Sequence, residues 1–320
     1  MAKSAIEISV VIPVFQEHAV IALTLAAVAD VLNSLSVTYE IVVVDDGSTD
    51  DTFERCAQFR QQNPCIKIVG LSRRFGKEAA LVAGMARASG DAIMTLDGDM
   101  QHPPVKIPEF IKCWRDGAQV VHGVKVNRYF EGFFHQIAAR GFNWVMSRTA
   151  GFDMAGSSDY KLFDRVVANT LIERFPEHHR FHRGLSVWVG FSQATVPFSV
   201  GERPAGWSRW RVRDLARYGW NTLTAYTSLP LQIVPLLGAV MLVVSMLLGI
   251  EAALSRWRGE SVSGFATLEM TILFTGSMIM IGLGVLGQYL ARVYDELKQR
   301  PLYLVGRELG FEPTRDSFRK

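Results

Sequence analysis

Two long runs without a charged residue constrain the fold of this chain most strongly: residues 221–250 and 270–290. As α-helices, each run would be long enough to cross a hydrocarbon core of about 30 Å. The runs are rich in leucine, valine, methionine and glycine, which favours membrane spans over two buried helices of a soluble protein. The sequence therefore predicts two membrane helices in the C-terminal part of the 320-residue chain.

Basic residues flank the two runs unevenly. Those before the first run and after the second are Arg209, Arg211, Arg213, Arg217, Arg292, Lys298, Arg300 and Arg307. The short connector holds only two arginines, with two glutamates beside them. The positive-inside rule then predicts that both termini and the large N-terminal region are cytoplasmic. Three cysteines without metal-ligand spacing are consistent with a reducing compartment, and we interpret them as packing residues.

The first 125 residues alternate short apolar runs with stretches of helical periodicity. The apolar runs predict strands at Ile8–Val14, 40–44, Ile66–Leu71, 92–96 and 119–124. Helical spacing appears between them at 20–35, 51–61 and 77–88. Strands that alternate with helices predict a doubly wound parallel sheet. In such sheets ligands bind at the carboxyl ends of the strands.

Polar or turn residues follow each of the first four predicted strands. In the last of these segments Asp97 and Asp99 form an Asp-x-Asp pair, and Gln101 comes two residues later. Oxygen ligands of this kind suit Mg²⁺ or Mn²⁺ on a diphosphate, although Asp-x-Asp also occurs in surface turns. Neither a Gly-x-Gly-x-x-Gly loop nor a Gly-Lys-Ser/Thr loop follows these strands. Their absence argues against a dinucleotide-dependent enzyme and a P-loop NTPase.

Six blocks of sequence, in this order along the chain, resemble the signature blocks of polyprenyl-phosphate glycosyltransferases. They read VIPVFQE (11–17), VDDGS (44–48), LSRRFGKE (71–78), DGDMQHPP (97–104), SDYKLFDR (158–165) and RPAGWSRW (203–210). The resemblance is to glycosyltransferase family 2, in the group of dolichyl-phosphate mannose synthase and bacterial bactoprenol glucosyltransferase. It implies an α/β domain of the GT-A, Rossmann-like fold with interfacial amphipathic helices and two C-terminal transmembrane helices.

The resemblance implies roles for individual residues at the donor side of the site. The residues that would bind the nucleotide are Pro13, Phe15, Glu17, Asp46 and Lys77. Asp97 would lie beside the diphosphate as a catalytic residue, and Asp99 with Gln101 would bind Mg²⁺ or Mn²⁺. Arg74 stands where relatives often have asparagine.

The resemblance also implies an acceptor side. The residues that would meet the acceptor phosphate are Lys125, Arg128, Arg203, Ser208 and Arg209. Lys125 stands where relatives often have arginine, and a lysine lacks the bidentate fork of a guanidinium. Asp159 would be the second catalytic residue, and we expect it to orient the acceptor or a sugar hydroxyl rather than to abstract a proton.

The predicted organisation has three parts: a cytoplasmic catalytic domain at 1–220, a two-helix transmembrane region at 221–294 and a cytoplasmic tail at 295–320. Residues 128–148 carry aromatic residues at helical spacing together with arginines, which fits an interfacial helix or a helix packed on the sheet. Tryptophan and arginine at 207–213 favour the membrane interface. His178, His179 and His182 could form a metal site, but the neighbouring arginines favour a basic loop.

The expected reaction is inverting transfer of a single hexose, glucose from UDP-glucose in the first place, onto undecaprenyl or another polyprenyl phosphate. The expected location is the cytoplasmic face of the bacterial inner membrane, with a multi-pass topology. Family analogy suggests a homo-oligomer, a tetramer, and the glycines at 282–287 permit either close helix packing or a lipid-facing helix. We expect no nucleic-acid partner.

Several alternatives remain open. GDP-mannose or a UDP-linked aminopentose would give a different product from the same kind of site. A non-catalytic membrane protein that binds nucleotide sugars or lipids is the alternative from another class. A processive polysaccharide synthase is disfavoured because the chain lacks a Gln-x-x-Arg-Trp block.

Overall fold

The computed structural model describes residues 6–126, 157–175, 177, 180, 182–199, 224, 229–258 and 265–312. Described residues before 200 and after 300 form one compact unit, and those between 224 and 300 form a second. The chain therefore leaves the first unit and returns to it near the C-terminus. The predicted segments 128–148 and 207–213, and with them Arg128, Arg203, Ser208 and Arg209, lie outside the described residues.

The described part of the first unit contains one sheet of eight strands. Their bounds are β1 Ile8–Val14, β2 Tyr39–Asp45, β3 Ile66–Leu71, β4 Ala92–Thr95, β5 Val120–Lys125, β6 Ser157–Asp164, β7 Gln193–Phe198 and β8 Val305–Leu309. The strand order is β7-β5-β6-β4-β1-β2-β3-β8. β6 and β8 run antiparallel to their neighbours, whereas the other six strands share one direction.

Helices cover both faces of this sheet. Their bounds are α1 Ile21–Ser34, α2 Thr52–Gln62, α3 Lys77–Arg87, α4 Ile107–Arg115, α5 Arg165–Glu173 and α6 His182–Trp188, with a 3-10 turn at Pro104–Lys106 before α4. Side chains of β1 alternate between the two cores, because successive residues of a strand point to opposite faces. Val10 and Ile12 pack with α1, α2 and α4, while Val11 packs with α3, α5 and α6.

The predicted alternation of strands and helices is confirmed, but the sheet is not entirely parallel. β1 to β4 form a parallel sheet in the order 3-2-1-4, as a doubly wound fold requires. β5 is parallel to these strands but does not pair with β4, because the antiparallel β6 lies between them. This insertion brings residues of β6 to the ends of β4 and β5.

β8 was not predicted, because the sequence patterns assign 295–320 to a tail. It pairs antiparallel with β3 and places Arg307 opposite Gly70. The backbone N–H of Ser72 donates to the carbonyl oxygen of Leu304 at 2.9 Å and extends this contact past the end of β3. A segment that follows the two apolar runs in sequence thus completes one edge of the sheet.

The second unit contains two long helices, α7 Leu229–Trp257 and α8 Phe265–Leu297. Within them, Pro230–Ala252 and Met270–Leu297 are long and apolar enough to cross a membrane. At most 6% of either apolar window is buried inside the chain, so these helices do not form the core of the described residues. The described part of the first begins eight residues after the start of the predicted 221–250 run.

Two glycines with positive φ allow a matched test of the loop that follows β2. Gly47 has φ of 69°, and a Cβ there would lie 2.5 Å from the backbone carbon of Arg73, whereas Gly117, at φ of 105°, has open space around that position. We expect Gly117→Ala to cost about 1 kcal/mol in backbone strain. Gly47→Ala should cost at least about 2 kcal/mol more, because backbone atoms must also move. Thermal unfolding of both variants measures the difference, and equal losses would contradict the close approach.

Candidate active site

Hydrogen bonds join the loops that follow β1 and β2. The N–H of Asp46 donates to the carbonyl oxygen of Val14 at 2.9 Å. The N–H of Gln16 donates to Ser48 Oγ at 2.9 Å, and the N–H of Glu17 donates to Thr52 Oγ1 at 3.0 Å. These bonds fix the backbone on either side of Phe15, so Pro13, Phe15 and Glu17 lie beside the turn that begins with Asp45.

Asp46 holds the next loop in place. Its carboxylate accepts from the N–H of Phe75 at 2.7 Å and from the N–H of Gly76 at 2.9 Å, just before α3 begins. Burial raises the pKa of Asp46, while these two bonds act in the opposite direction. The side chain that the resemblance assigns to the nucleotide thus also bonds to the backbone of the β3–α3 loop.

Two buried or half-buried carboxylates and two cations form a cluster at the carboxyl end of β4. Lys77 Nζ lies 2.6 Å from Asp97 Oδ1 and 2.6 Å from Asp159 Oδ2. On the other side, Arg183 binds Asp159 through both nitrogens of a fork, at 2.7 and 2.8 Å. Because Asp159 is only 5% exposed, its charge is balanced by these partners rather than by water.

The charges of the cluster stabilise one another. Burial alone would raise the pKa of Asp159, but Arg183 and Lys77 hold it well below its ordinary value. Burial likewise opposes the charge of Lys77, but Asp97 and Asp159 raise its pKa above the usual range. At neutral pH, Asp159 is therefore an ionised carboxylate with little tendency to accept a proton.

The Asp-x-Asp loop is shaped by its own side chains. Met100 adopts a left-handed conformation with φ of 63°, and the N–H of Gln101 donates to Asp99 Oδ1 at 3.1 Å. The N–H of Asp97 donates to Nδ1 of the buried His102 at 2.9 Å. Burial lowers the pKa of His102 to about 4, so its ring is neutral and fixes the loop as a hydrogen-bond acceptor.

A cleft of about 250 Å³ opens among these elements. Its lining contains Pro13, Val14, Phe15, Glu17, Asp46, Arg74, Lys77, Ala80, Asp97, Gly98 and Asp99. All five predicted nucleotide residues and both aspartates of the Asp-x-Asp pair are therefore part of one cavity. Lys125, at the end of β5, is close enough to Asp97, Asp159, Asp99 and Arg183 to share their electrostatic field, and burial lowers its pKa.

The geometry agrees with comparisons to known proteins. Residues 9–181 match the family described as Glycosyl transferase family 2. The chain belongs to this glycosyltransferase family. It is 38% identical to an uncharacterized glycosyltransferase of Synechocystis sp. over 96% of this chain and 97% of that one.

Two further relatives carry a more specific name. A prophage bactoprenol glucosyl transferase homolog of Escherichia coli is 33% identical over 94% of this chain and 99% of that one. The bactoprenol glucosyl transferase of Shigella phage SfV is 32% identical with the same coverage. A crystal structure of glucosyl-3-phosphoglycerate synthase from Mycobacterium tuberculosis is 21% identical, with a TM-score of 0.49, over 69% of this chain and 78% of that one. The family inferred from the six sequence blocks is confirmed.

The candidate site contains residues that the sequence patterns did not single out. The sequence patterns placed Arg183 only in a basic loop, whereas in the structure it binds Asp159. The single sequence feature that drew attention to it was its position beside the histidines. His102 carried no signal beyond its position in the DGDMQHPP block. The ring of His182 is buried, and among the described residues no three His, Cys, Asp or Glu side chains form a metal site. His178 and His179 lie outside the described residues.

A group of buried polar side chains lies behind the candidate site, inside the domain. Lys161 is fully buried on β6, and its Nζ lies 2.9 Å from His122 Nδ1. Lys161 also donates to Ser186 Oγ at 2.7 Å, and Ser186 donates to the carbonyl oxygen of Arg183 at 2.8 Å. This chain of bonds connects β6 to α6, the helix that carries Arg183. Burial lowers the pKa of Lys161 to about 7.

This buried lysine predicts a pH dependence of stability. Between pH 7 and about 10 the unfolded chain holds the Lys161 proton and the folded chain does not, so stability should rise with pH. From pH 7 to 9 the wild type should gain about 2 kcal/mol relative to Lys161→Met. Thermal unfolding in detergent across this range tests the difference, with the exposed Lys112→Met as control. Parallel pH curves for wild type and Lys161→Met would contradict it.

Proposed function

We propose that this glycosyltransferase transfers a single hexose, glucose from UDP-glucose, with inversion onto a polyprenyl phosphate such as undecaprenyl phosphate. The observation that carries the proposal is the group of charges at and beside the cleft. Lys77, Asp97 and Asp99 line the cleft, Asp159 joins Lys77 to Arg183, and Lys125 interacts electrostatically with these residues. This group combines carboxylates suited to a metal-bound diphosphate with cations suited to a second phosphate. The names of two relatives and the two apolar helices support a lipid acceptor.

The donor set of the Asp-x-Asp loop fits a divalent cation. Asp99 and Gln101 offer carboxylate and amide oxygens, with the carboxylate of Asp97 lining the same cleft as Asp99. Mg²⁺ is commonly held by one or two carboxylates together with substrate phosphates, so no larger set of protein ligands is required. Asp99 and Gln101 would hold Mg²⁺ or Mn²⁺, and the ion would supply positive charge to the departing diphosphate.

The acceptor requires no strong catalytic base. A phosphate monoester has a second pKa near 6, so it is mostly dianionic at neutral pH and already nucleophilic. A bond forms between its oxygen and the anomeric carbon as the bond from that carbon to the diphosphate breaks, and no proton has to be removed. An ionised Asp159 of low pKa fits this chemistry. Both of its oxygens are bonded to Lys77 and Arg183, so we propose that it orients these two cations, whereas the sequence led us to expect that it orients the acceptor or a sugar hydroxyl.

The cations of the cluster would reduce repulsion between two anionic substrates. Lys77 is held beside Asp97 at the donor side, and its α3 position is fixed by the loop that Asp46 binds. Arg183 binds Asp159, and Lys125 is close enough to both of them to interact with them electrostatically. These cations would hold the phosphate oxygen in line with the anomeric carbon and would stabilise the negative charge of the transition state, and both effects accelerate the reaction. From the sequence we add Arg128, Arg203, Ser208 and Arg209 as acceptor-phosphate residues.

The proposal includes a place in the cell. We assign the protein to the bacterial inner membrane as a multi-pass protein with its catalytic domain and both termini in the cytoplasm. The uneven distribution of basic residues around the apolar runs supports this orientation. Family analogy supports a homo-oligomer, a tetramer.

A transfer assay tests the proposed reaction. Full-length protein in detergent receives undecaprenyl phosphate, Mn²⁺ or Mg²⁺, and labelled UDP-glucose, UDP-galactose, UDP-N-acetylglucosamine or GDP-mannose. We expect lipid-linked sugar from UDP-glucose and a loss of at least about 100-fold in Asp99→Ala. Asp116→Asn, an exposed substitution at the end of α4, is the matched control and should retain activity. Product from GDP-mannose alone would show that the donor is GDP-mannose and not UDP-glucose. No product from any donor would refute the proposed reaction.

Metal removal gives a separate prediction. Chelation by EDTA should abolish transfer, and excess Mn²⁺ or Mg²⁺ should restore it. Gln101→Ala should raise the metal concentration needed for half-maximal activity by about tenfold, because one oxygen ligand is lost. Titration of the metal at saturating donor measures this shift. Full activity in EDTA would contradict the metal assignment.

A further inference from the structure

A second cleft adjoins the one that contains the Asp-x-Asp loop. Its volume is about 500 Å³, and its lining contains Phe15, Asp45, Gly47, Ser48, Thr49, Leu71, Ser72, Arg73, Arg74 and Arg307. Phe15 and Arg74 line both clefts. The guanidinium carbon of Arg74 lies 4.2 Å from the centroid of the Phe15 ring, so this stacked pair marks the boundary between them.

The first cleft, as the described residues form it, is smaller than most small-molecule sites. Its 250 Å³ falls below the range of roughly 300–1,000 Å³ that small-molecule sites occupy, whereas the two clefts together fall within that range. A donor whose diphosphate lies near Lys77 and Asp97 would therefore extend past Phe15 into the second cleft. That cleft is where its remaining part has room.

The second cleft is rich in guanidinium groups. Three arginines line it, Arg73, Arg74 and Arg307. The carboxylate in its lining, Asp45, is only 2% exposed and accepts a hydrogen bond from the N–H of Ser48 at 3.1 Å. The polar groups that this cleft offers are thus mainly guanidinium donors, which can bond to the hydroxyls and carbonyl oxygens of a nucleoside.

Arg307 is held in position before any ligand arrives. Its guanidinium carbon lies 3.4 Å from the centroid of the Phe53 ring, and its Nη1 donates to Glu54 Oε1 at 3.0 Å. Gly70 on β3 leaves space for this arrangement, because a Cβ there would lie 2.8 Å from Arg307 Cγ. The Arg307 and Glu54 side chains are 50% and 53% exposed, so the remaining guanidinium donors can reach a ligand.

We propose that Arg307, on the strand that follows the two apolar helices, binds the nucleoside part of the donor and sets the donor affinity of the site. The inference rests on the proposed function, since it takes the donor to be a nucleotide sugar. It makes donor binding depend on β8, so the C-terminal segment is part of the catalytic unit in function as well as in fold. Arg307 is a donor-binding residue and takes no part in the bond changes at the anomeric carbon.

Neighbouring residues on β8 provide a matched pair of variants. Arg307→Met keeps apolar contact with Phe53 but removes the charge, and Arg307→Lys keeps a charge without the planar fork. Glu308→Gln is the control, because Glu308 points to the opposite face of the sheet and lies 2.7 Å from Arg87 of α3. If loss of β8 packing were the cause of any effect, Glu308→Gln would share it.

Calorimetric titration of the full-length protein in detergent with UDP and Mn²⁺, and separately with GDP and Mn²⁺, tests the inference. Arg307→Met should weaken nucleotide binding about tenfold and raise the KM of the donor by a similar factor, with kcat within twofold of wild type. Arg307→Lys should weaken binding by about threefold, and Glu308→Gln should match wild type.

The possible results separate the inference from the proposed function. Wild-type affinity in Arg307→Met, or an equal loss in Glu308→Gln, would overturn the role of Arg307 while leaving the reaction intact. Should Arg307→Met fail to fold, wild-type affinity in Arg307→Lys would overturn it. Failure of the wild type to bind either nucleotide would overturn both, because the donor would then belong to another class.

Discussion

The contact on which the site depends is the buried carboxylate of Asp159 between Lys77 and Arg183. These three residues come from β6, α3 and α6, so one charge fixes three elements at the end of the sheet. Removal of one partner from such a group leaves a poorly solvated charge, which makes the arrangement cooperative. Because Lys77 also binds Asp97, the position of the Asp-x-Asp loop is linked to the same charge.

The antiparallel β6 explains how the chain brings these groups together. It lies between β4 and β5, and Thr95 Oγ1 donates to the carbonyl oxygen of Asp159 at 2.7 Å. Asp159 thereby reaches the end of β4, where Asp97 begins its loop. Two residues further along β6, Lys161 donates to Ser186 and so anchors α6, the helix that carries Arg183. Lys77, Arg183 and the Asp-x-Asp loop thus depend on one strand, β6, for their positions.

Much of the fold and part of the site could be predicted from sequence. Local patterns gave the first four strands, because a buried parallel strand is an apolar run, and the polar residues at their ends mark the cleft edge. The strand order around β6 and the addition of β8 depend on pairing between distant segments, which no local pattern encodes. The contacts of Arg183 with Asp159, and of Arg307 with Phe53 and Glu54, could not be predicted for the same reason. Asp46 could be placed at the cleft from its motif, but its bonds to the β3–α3 loop required coordinates.

A pH–rate profile distinguishes an Asp159 that organises cations, as we propose, from one that acts as a base. Sugar transfer at low acceptor concentration should fall on the acid side with an apparent pKa near 6, that of the acceptor phosphate. Asp159→Asn should lower the rate but leave this acid limb in place. An acid limb that disappears in Asp159→Asn would show that the carboxylate itself must be deprotonated for catalysis, and would contradict the account.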